Sequence, residues 1–553
     1  MSSIIKSLSI RNFKGFSDEV HIELRPITLL FGGNSAGKSS VLHALQYARE
    51  ILERNNANAD RTLQGGDAVD LGGFLNLVHG RDQKRRIEIE IGMLLGDVSI
   101  PEIVPDAFED WQASDSEVSP IYETLQTIRR KVSGVSIRLI VGWNIYSDEP
   151  VVVGYEIGTN DVWCVKSEAS GDGRDTHMRI NRKNPIFMVN MPDSEALLAE
   201  LDDWINPEDL QAEGADTDPE KLIPCAIVEN SPQEQQTSIL DEVFHAVKEA
   251  GMESPGEGLR SWLSGFNGAM PQLDKMLFIA APGAKGAANV YVAREFTAFL
   301  SWLTIGPAML LRDQLRKLRY VGPLRRIPPR GFQASLTKSE AAWSDGMAAW
   351  TTLLSGPKNL IDDCSDSMSS SDKLGTGYSI VRKPIQEFDL GGAQPRPIGR
   401  VRSRIELIDA AGLSHEPQDV GVGISQVLPV VVAALDGSAS VVCIEQPELH
   451  IHPAVQVALG DLFIDGVLNH DLSFLIETHS EHLILRLLRR IREASEEVDL
   501  TVEPKVNPKL VGVYCLMRED GRVTVIETPI NSKGDFDKPW PNGFFDERGT
   551  ELF

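Results

Sequence analysis

Apolar and polar residues alternate from Ile4 to Ile10, and apolar positions recur from Ile22 to Phe31, predicting two strands joined by the turn-like stretch NFKGFSDE. From Lys38 to about Arg54 the apolar positions recur with helical spacing. Far downstream, EFTAFLSWLTIGPAMLLRDQLRKLRY again has helical spacing, whereas VVCIEQPE and LSFLIETHS read as short buried strands, each running into a polar turn. Strands alternating with helices predict an α/β fold with a mainly parallel sheet. No heptad pattern is sustained and no repeat recurs, which argues against a long coiled-coil arm.

Charge sharpens this organisation. The chain of 553 residues carries a net charge of −26, which excludes a uniformly basic nucleic-acid coat. Residues 101–260 hold 32 acidic against 12 basic side chains, so −20 of the total lies there. Runs such as EDWQASDSEVSP and NPEDLQAEGADTDPEK read as surface loops around short elements, and the whole stretch reads as an insertion. Five cysteines (Cys164, Cys225, Cys364, Cys443, Cys515) lack CxxC spacing, which argues against a zinc site or disulfide framework and for buried thiols. The start MSSIIKSLSIRNFKGF alternates where a signal peptide is continuously apolar, and no long apolar run follows, so the expected location is the cytoplasm.

The strongest chemical signal is ITLLFGGNSAGKSSVLHALQYA. Gly32, Gly37, Lys38 and Ser39 fit GxxxxGK[ST] between an apolar strand and an amphipathic helix, the setting that makes a phosphate-binding loop credible. Small residues let backbone N–H groups close around phosphates at the positive end of the helix. Lys38 is expected on the β and γ phosphates of ATP and Ser39 on Mg²⁺, with Asn34 and Ser40 completing the loop.

About 400 residues later, the strand Val441 to Ile444 delivers Glu445 and Gln446 to the sheet's carboxyl edge, with Glu448 two residues beyond. An acid there can hold Mg²⁺ through water. In SFLIETHSEHL the next strand delivers Thr478, His479 and Ser480 to the same edge, where His479 would sense or polarise the γ-phosphate. DVGVGISQVLP places Gly421, Gly423 and Ser425 before an apolar helix, a further anion-binding helix start.

The order FKGF, GGNSAGKSS, GVGISQVLP, IEQPELHIHP and ETHSEHL closely resembles the ABC-type ATPases of the overcoming-lysogenization-defect (OLD) and SMC-like group. The resemblance covers about residues 1–95 and 395–528, and KPWPNGFFDERGTELF looks like a C-terminal module of unknown function found on a subset of these ATPases. It implies an ABC head split by an insertion. The two head halves would be 1–95 and 395–528, separated by an acidic mixed α/β or helical insertion at 96–320 and a connecting segment at 321–394, with a tail motif at 529–553. It also implies head-to-head dimers or higher even oligomers, in which ATP held by Gly37, Lys38 and Ser39 of one chain meets Gly423 and Ser425 of the other.

Where many such heads place a catalytic Glu after the Walker B acid, this chain has Gln446, whose amide accepts no proton. Either Glu445 or Glu448 then serves as base, or hydrolysis is slow and regulated, the reading favoured here. Gln64 is either the Mg²⁺-associated glutamine that this family carries in the loop leading to its insertion or a turn residue.

LRDQLRKLRYVGPLRRIPPR gathers Arg312, Arg316, Lys317, Arg319, Arg325, Arg326 and Arg330 against Asp313. Three readings stand: a nucleic-acid contact, a turn that approaches the nucleotide or ties insertion to head, and a solvated helix face. The resemblance points to an ATPase that controls a separate effector nuclease, such as an HNH enzyme, in Septu-like or retron-associated anti-phage defence. A nuclease within the chain is not expected, because the region after ETHS has no DxD at a strand end. The alternative is an SMC-like DNA-repair or chromosome-maintenance ATPase.

Overall fold

The computed structural model describes residues 4–57, 71–103, 120–170, 176–181, 183–189, 237–238, 263–264, 266–273, 275–279, 298–333, 340–391, 394–496 and 506–541. Gln64, Cys225 and the end of the tail motif lie outside them. The chain divides into two compact units: Met1–Glu50, Ala59–Arg81 and Gln314–Phe553 form one, and Ile51–Asn58 with Asp82–Asp313 the other.

The first unit is built on a six-stranded sheet in the order Leu318–Val321, Val441–Glu445, Ser473–Glu477, Ile27–Gly32, Val511–Glu519, Arg522–Glu527. All neighbours run parallel except the last pair. The three central strands are buried at every position, as their unbroken apolar runs require of strands covered on both faces. Parallel register aligns their carboxyl ends, pairing Glu445 with Glu477 and Glu477 with Leu30.

Helices cover this sheet. Glu481–Glu496 buries Leu483, Ile484, Leu487, Leu488 and Ile491, a single apolar stripe. It packs on Pro453–His470, and Asp461 of that helix accepts hydrogen bonds from Arg486 and Arg490. Val422–Leu435 is apolar nearly all round and buried from Ser425 onward. It is enclosed by Met347–Ser355 and Lys358–Ser369, whose Leu353, Leu360, Ile361, Cys364 and Met368 join the same core.

Several sequence expectations are corrected. The segment 321–394 is no mere connector, because those two helices supply the apolar surface that buries the Val422–Leu435 helix. The run from Ile22 to Phe31 breaks into Val20–Glu23 and Ile27–Gly32. At the break, the Arg25 N–H donates to Thr28 Oγ1 and Thr28 Oγ1 donates back to the Arg25 carbonyl, ahead of which Pro26 offers no N–H to a ladder. Helical spacing that reads through Tyr320 ends at Arg316, since Leu318–Val321 is a fully buried strand paired with Val441–Ile444. A long antiparallel pair, Ser379–Asp389 with Arg396–Ile408, leads into the Val422 helix.

The second unit contains an antiparallel meander of Ile87–Leu94, Gly134–Asn144, Glu149–Thr159, Val162–Ala169 and Thr176–Ile180. Alternating burial along Ile87–Leu94 and Gly134–Asn144 gives it one core face and one polar face. On the polar face Arg138 stands between acids of both neighbouring strands, pairing with Glu88 at 3.0 Å and lying 3.9 Å from Glu156. Cys164, Cys364, Cys443 and Cys515 are buried thiols. Among the described residues no helix is long and apolar enough to cross a membrane.

Candidate functional site

The phosphate-binding loop leaves the central strand at Gly32 and enters the Lys38–Arg54 helix. Its path requires glycine. Gly32 has φ +139° and Gly37 φ +99°, and a Cβ on Gly32 would stand 2.2 Å from the Leu516 carbonyl oxygen of the adjacent strand. Gly32→Ala is therefore expected to cost about 3 kcal/mol of stability, from backbone strain and overpacking together. Thermal unfolding measures it, and an unchanged midpoint would contradict this loop geometry.

Lys38, 3% exposed, curls back so that Nζ donates to the Gly32 and Gly33 carbonyls, each at 3.0 Å. It lies 3.8 Å from Glu477 Oε1. Burial pushes its pKa down, and the carboxylates of Glu477, Glu448 and Glu445 oppose that shift. Ser39 donates to Glu477 Oε2 at 2.6 Å. Asn34 is exposed at the loop tip, while Ser40 is buried with its N–H on the Gly37 carbonyl.

Glu445 ends its strand with Oε1 accepting from the Tyr320 hydroxyl at 2.8 Å, and His43 Nε2 lies 3.9 Å away. Burial, then the Glu477 carboxylate, pushes Glu445 up to about 7. Burial, reinforced by Lys14, pushes His43 down to about 3, so the ring beside Glu445 is neutral at ordinary pH. Gln446 adopts φ +43°, its N–H donating to the Glu477 carbonyl at 2.8 Å, so the turn after the strand is fixed to the neighbouring strand.

Glu448 clamps the next turn. Its Oε1 accepts from the His479 N–H at 2.7 Å and its Oε2 from Thr478 Oγ1 at 2.9 Å. Burial pushes Glu448 up and these donors pull it back. Ser480 Oγ donates to Gln456 Oε1 at 2.9 Å. Burial, with Lys38 nearby, pushes His479 down.

The helix that begins at Val422 has Gly421 as its cap; Gly421 and Val422 are exposed, Gly423 and Ile424 half-buried. Gly423 lies against the His450 carbonyl oxygen, which a Cβ would approach to 2.5 Å. Ser425 faces inward, fully buried, and donates to the Pro417 carbonyl at 3.0 Å.

Of the basic run 312–330, Arg319 and Arg325 are buried and thus lost to any nucleic-acid surface. Arg319 lies over the Trp343 ring at 3.9 Å and pairs with Asp436. Arg325 donates to the Glu445 carbonyl at 2.7 Å, the Gln446 carbonyl at 3.3 Å and the Gln426 carbonyl at 3.3 Å. Arg330 pairs with Glu416 and Asp419, and Arg326 with Asp345. Helical spacing and charge count gave no sign of this dispersal, because a strand and a tight turn separate the arginines.

One carboxylate in the site was not anticipated. Glu477 precedes the Thr478–Ser480 turn and meets the phosphate loop more directly than Glu445 does. The available signal was that SFLIE and VVCIE both end in Ile-Glu, and their register sets the two acids side by side.

A glycine loop, lysine and serine at a helix start, joined at one sheet edge by acids from adjacent strands, define a P-loop nucleotide site in a mixed α/β fold. Residues 4–91 match the family described as "AAA ATPase domain", and residues 332–486 match "AAA domain, putative AbiEii toxin, Type IV TA system". The chain thus carries AAA-type ATPase domain sequence in two separate stretches.

Among solved structures, the Smc head domain with an extended coiled coil bound to the C-terminal domain of ScpA from Pyrococcus furiosus is 12% identical. It aligns over 95% of this chain and 96% of that one with a TM-score of 0.36. The SMC head domain from Thermotoga maritima is 6% identical over 96% and 100% of the two chains, with a TM-score of 0.34. No curated protein matches the chain.

Proposed function

We propose that this chain binds ATP with Mg²⁺ at the phosphate loop and hydrolyses it slowly, as an ABC-type head that pairs with a second copy and controls a separate effector nuclease in anti-phage defence. The observation that carries the ATPase reading is the meeting of Lys38 and Ser39 with the strand-end Glu477, beside which register places Glu445 at the same sheet edge. The donor set suits Mg²⁺, a hard cation that takes oxygen ligands: the Ser39 hydroxyl would hold it directly and the Glu445 carboxylate through water. Bound there, Mg²⁺ would neutralise phosphate charge.

The protein's own residues divide the remaining work. Lys38 would contact the phosphates in place of the Gly32 and Gly33 carbonyls. Glu448, both of whose oxygens accept from Thr478 and His479, is engaged in holding the His479 turn. That engagement favours Glu445 over Glu448 as proton acceptor, and Gln446 beside it supplies none. Gly423 is assigned to the face that meets the partner's nucleotide, where the helix start supplies N–H groups, whereas the Ser425 hydroxyl is buried on the Pro417 carbonyl behind that face. The defence role rests on the resemblance of the motif order FKGF, GGNSAGKSS, GVGISQVLP, IEQPELHIHP and ETHSEHL to OLD-like ATPases.

Gln446→Glu tests slow hydrolysis. Restoring a carboxylate is expected to raise the single-turnover rate by about 100-fold, the usual scale of a general base. No increase would contradict the assignment of slow turnover to this residue.

A further inference from the structure

Of the two strand-end acids, the one against the phosphate loop is Glu477. It is 6% exposed, and its backbone carbonyl is held by the Gln446 N–H at 2.8 Å. Its side chain faces the loop, with Oε2 accepting from Ser39 Oγ at 2.6 Å and Oε1 3.8 Å from Lys38 Nζ. Glu445 turns elsewhere, to the Tyr320 hydroxyl.

A serine hydroxyl has one proton and two lone pairs, and it ligates a cation only through a lone pair. An acceptor that fixes the proton on the far side therefore decides where the lone pairs point. The 2.6 Å separation is in the range of a charge-assisted O–H···O⁻ bond, strong enough to hold that orientation.

We propose that Glu477 is a positioning residue for the nucleotide's divalent cation: it accepts the Ser39 hydroxyl hydrogen bond and so turns the Ser39 lone pairs to the metal. The assignment rests on the ATPase reading and extends it by dividing the acids between two tasks. Glu477 acts through Ser39, while Glu445 is left to the cation's water shell. Outer partners of this kind are what orient metal ligands in proteins generally, and their loss costs metal affinity before anything else.

The test uses the full chain, with Mn²⁺ as a paramagnetic probe and saturating ADP, free Mn²⁺ being read from its electron paramagnetic resonance signal. Glu477→Gln keeps the side chain's shape and removes its charge. It is expected to weaken Mn²⁺ binding about tenfold or more, while ADP affinity measured in a chelator and the melting temperature stay close to wild type. In a Ser39→Ala background the same substitution is expected to have a much smaller effect, because the residue it acts through is gone.

Glu477→Asp, which keeps the charge but withdraws it from Ser39, is expected to fall between and serves if Glu477→Gln does not fold. Unchanged Mn²⁺ affinity in the folded variants overturns the assignment. So does an equal loss of chelator-measured ADP affinity and melting temperature, which marks a merely structural role. Wild-type protein that binds no ADP overturns the ATPase reading itself, and this assignment with it.

Discussion

Arg325→Ala is expected to lower the stability of the protein by about 3 kcal/mol, the scale of stripping several buried acceptors of a charged donor. Arg325 is 3% exposed and its guanidinium donates to the carbonyls of Gln426, Glu445 and Gln446. Its backbone N–H donates to Gln426 Oε1, and Gln426 Nε2 donates to its carbonyl, so the arginine and this glutamine are locked in both directions. Burial pulls Arg325 down to about 10, with the carboxylates of Glu448 and Glu445 opposing, so it remains charged at neutral pH.

Truncation would leave three carbonyls without this donor and loosen the turn bearing Gln446 from the helix bearing Ser425. The neighbouring Arg326 is exposed and pairs with Asp345, so Arg326→Ala is expected to fall within about 0.5 kcal/mol of wild type. Urea unfolding of the two variants decides the matter. Equal stability would contradict the internal role given to Arg325.

That contrast shows what was legible in the chain. The phosphate loop was readable because strand, glycines, lysine and helix are contiguous and each part confirms the next. The strands ending at Glu445 and Glu477 were readable as unbroken apolar runs, since both faces are covered.

Residues whose roles depend on pairing across the sheet were not. Tyr320 meets Glu445, and Arg325 meets the turn after it, only because Leu318–Val321 lies parallel to Val441–Ile444. Along the chain the same residues sit in a basic, helix-spaced run. Glu477 is hidden for a related reason: in sequence it merges with the polar turn at His479, and only register reveals which acid faces Ser39. In the second unit, alternation over Gly134–Asn144 was present, but the acidic excess drew the reading towards loops.

Lys38 is the residue on which the account depends most. Its ammonium is the cation that reaches the loop's own carbonyls, and it offsets the carboxylates gathered behind them. Lys38→Ala removes a phosphate donor and also leaves Glu477 and Glu445 to repel the nucleotide, so two unfavourable changes add. Loss of charge-assisted hydrogen bonds alone corresponds to about 3 kcal/mol, or about 100-fold in affinity. The direct measurement is calorimetric titration of ATP with Mg²⁺ into the full chain and into Lys38→Ala at equal concentrations. Saturable binding at one site per wild-type chain is expected, with a loss of about 100-fold or more in the variant. Equal affinity in the two proteins, or no binding to either, would contradict it.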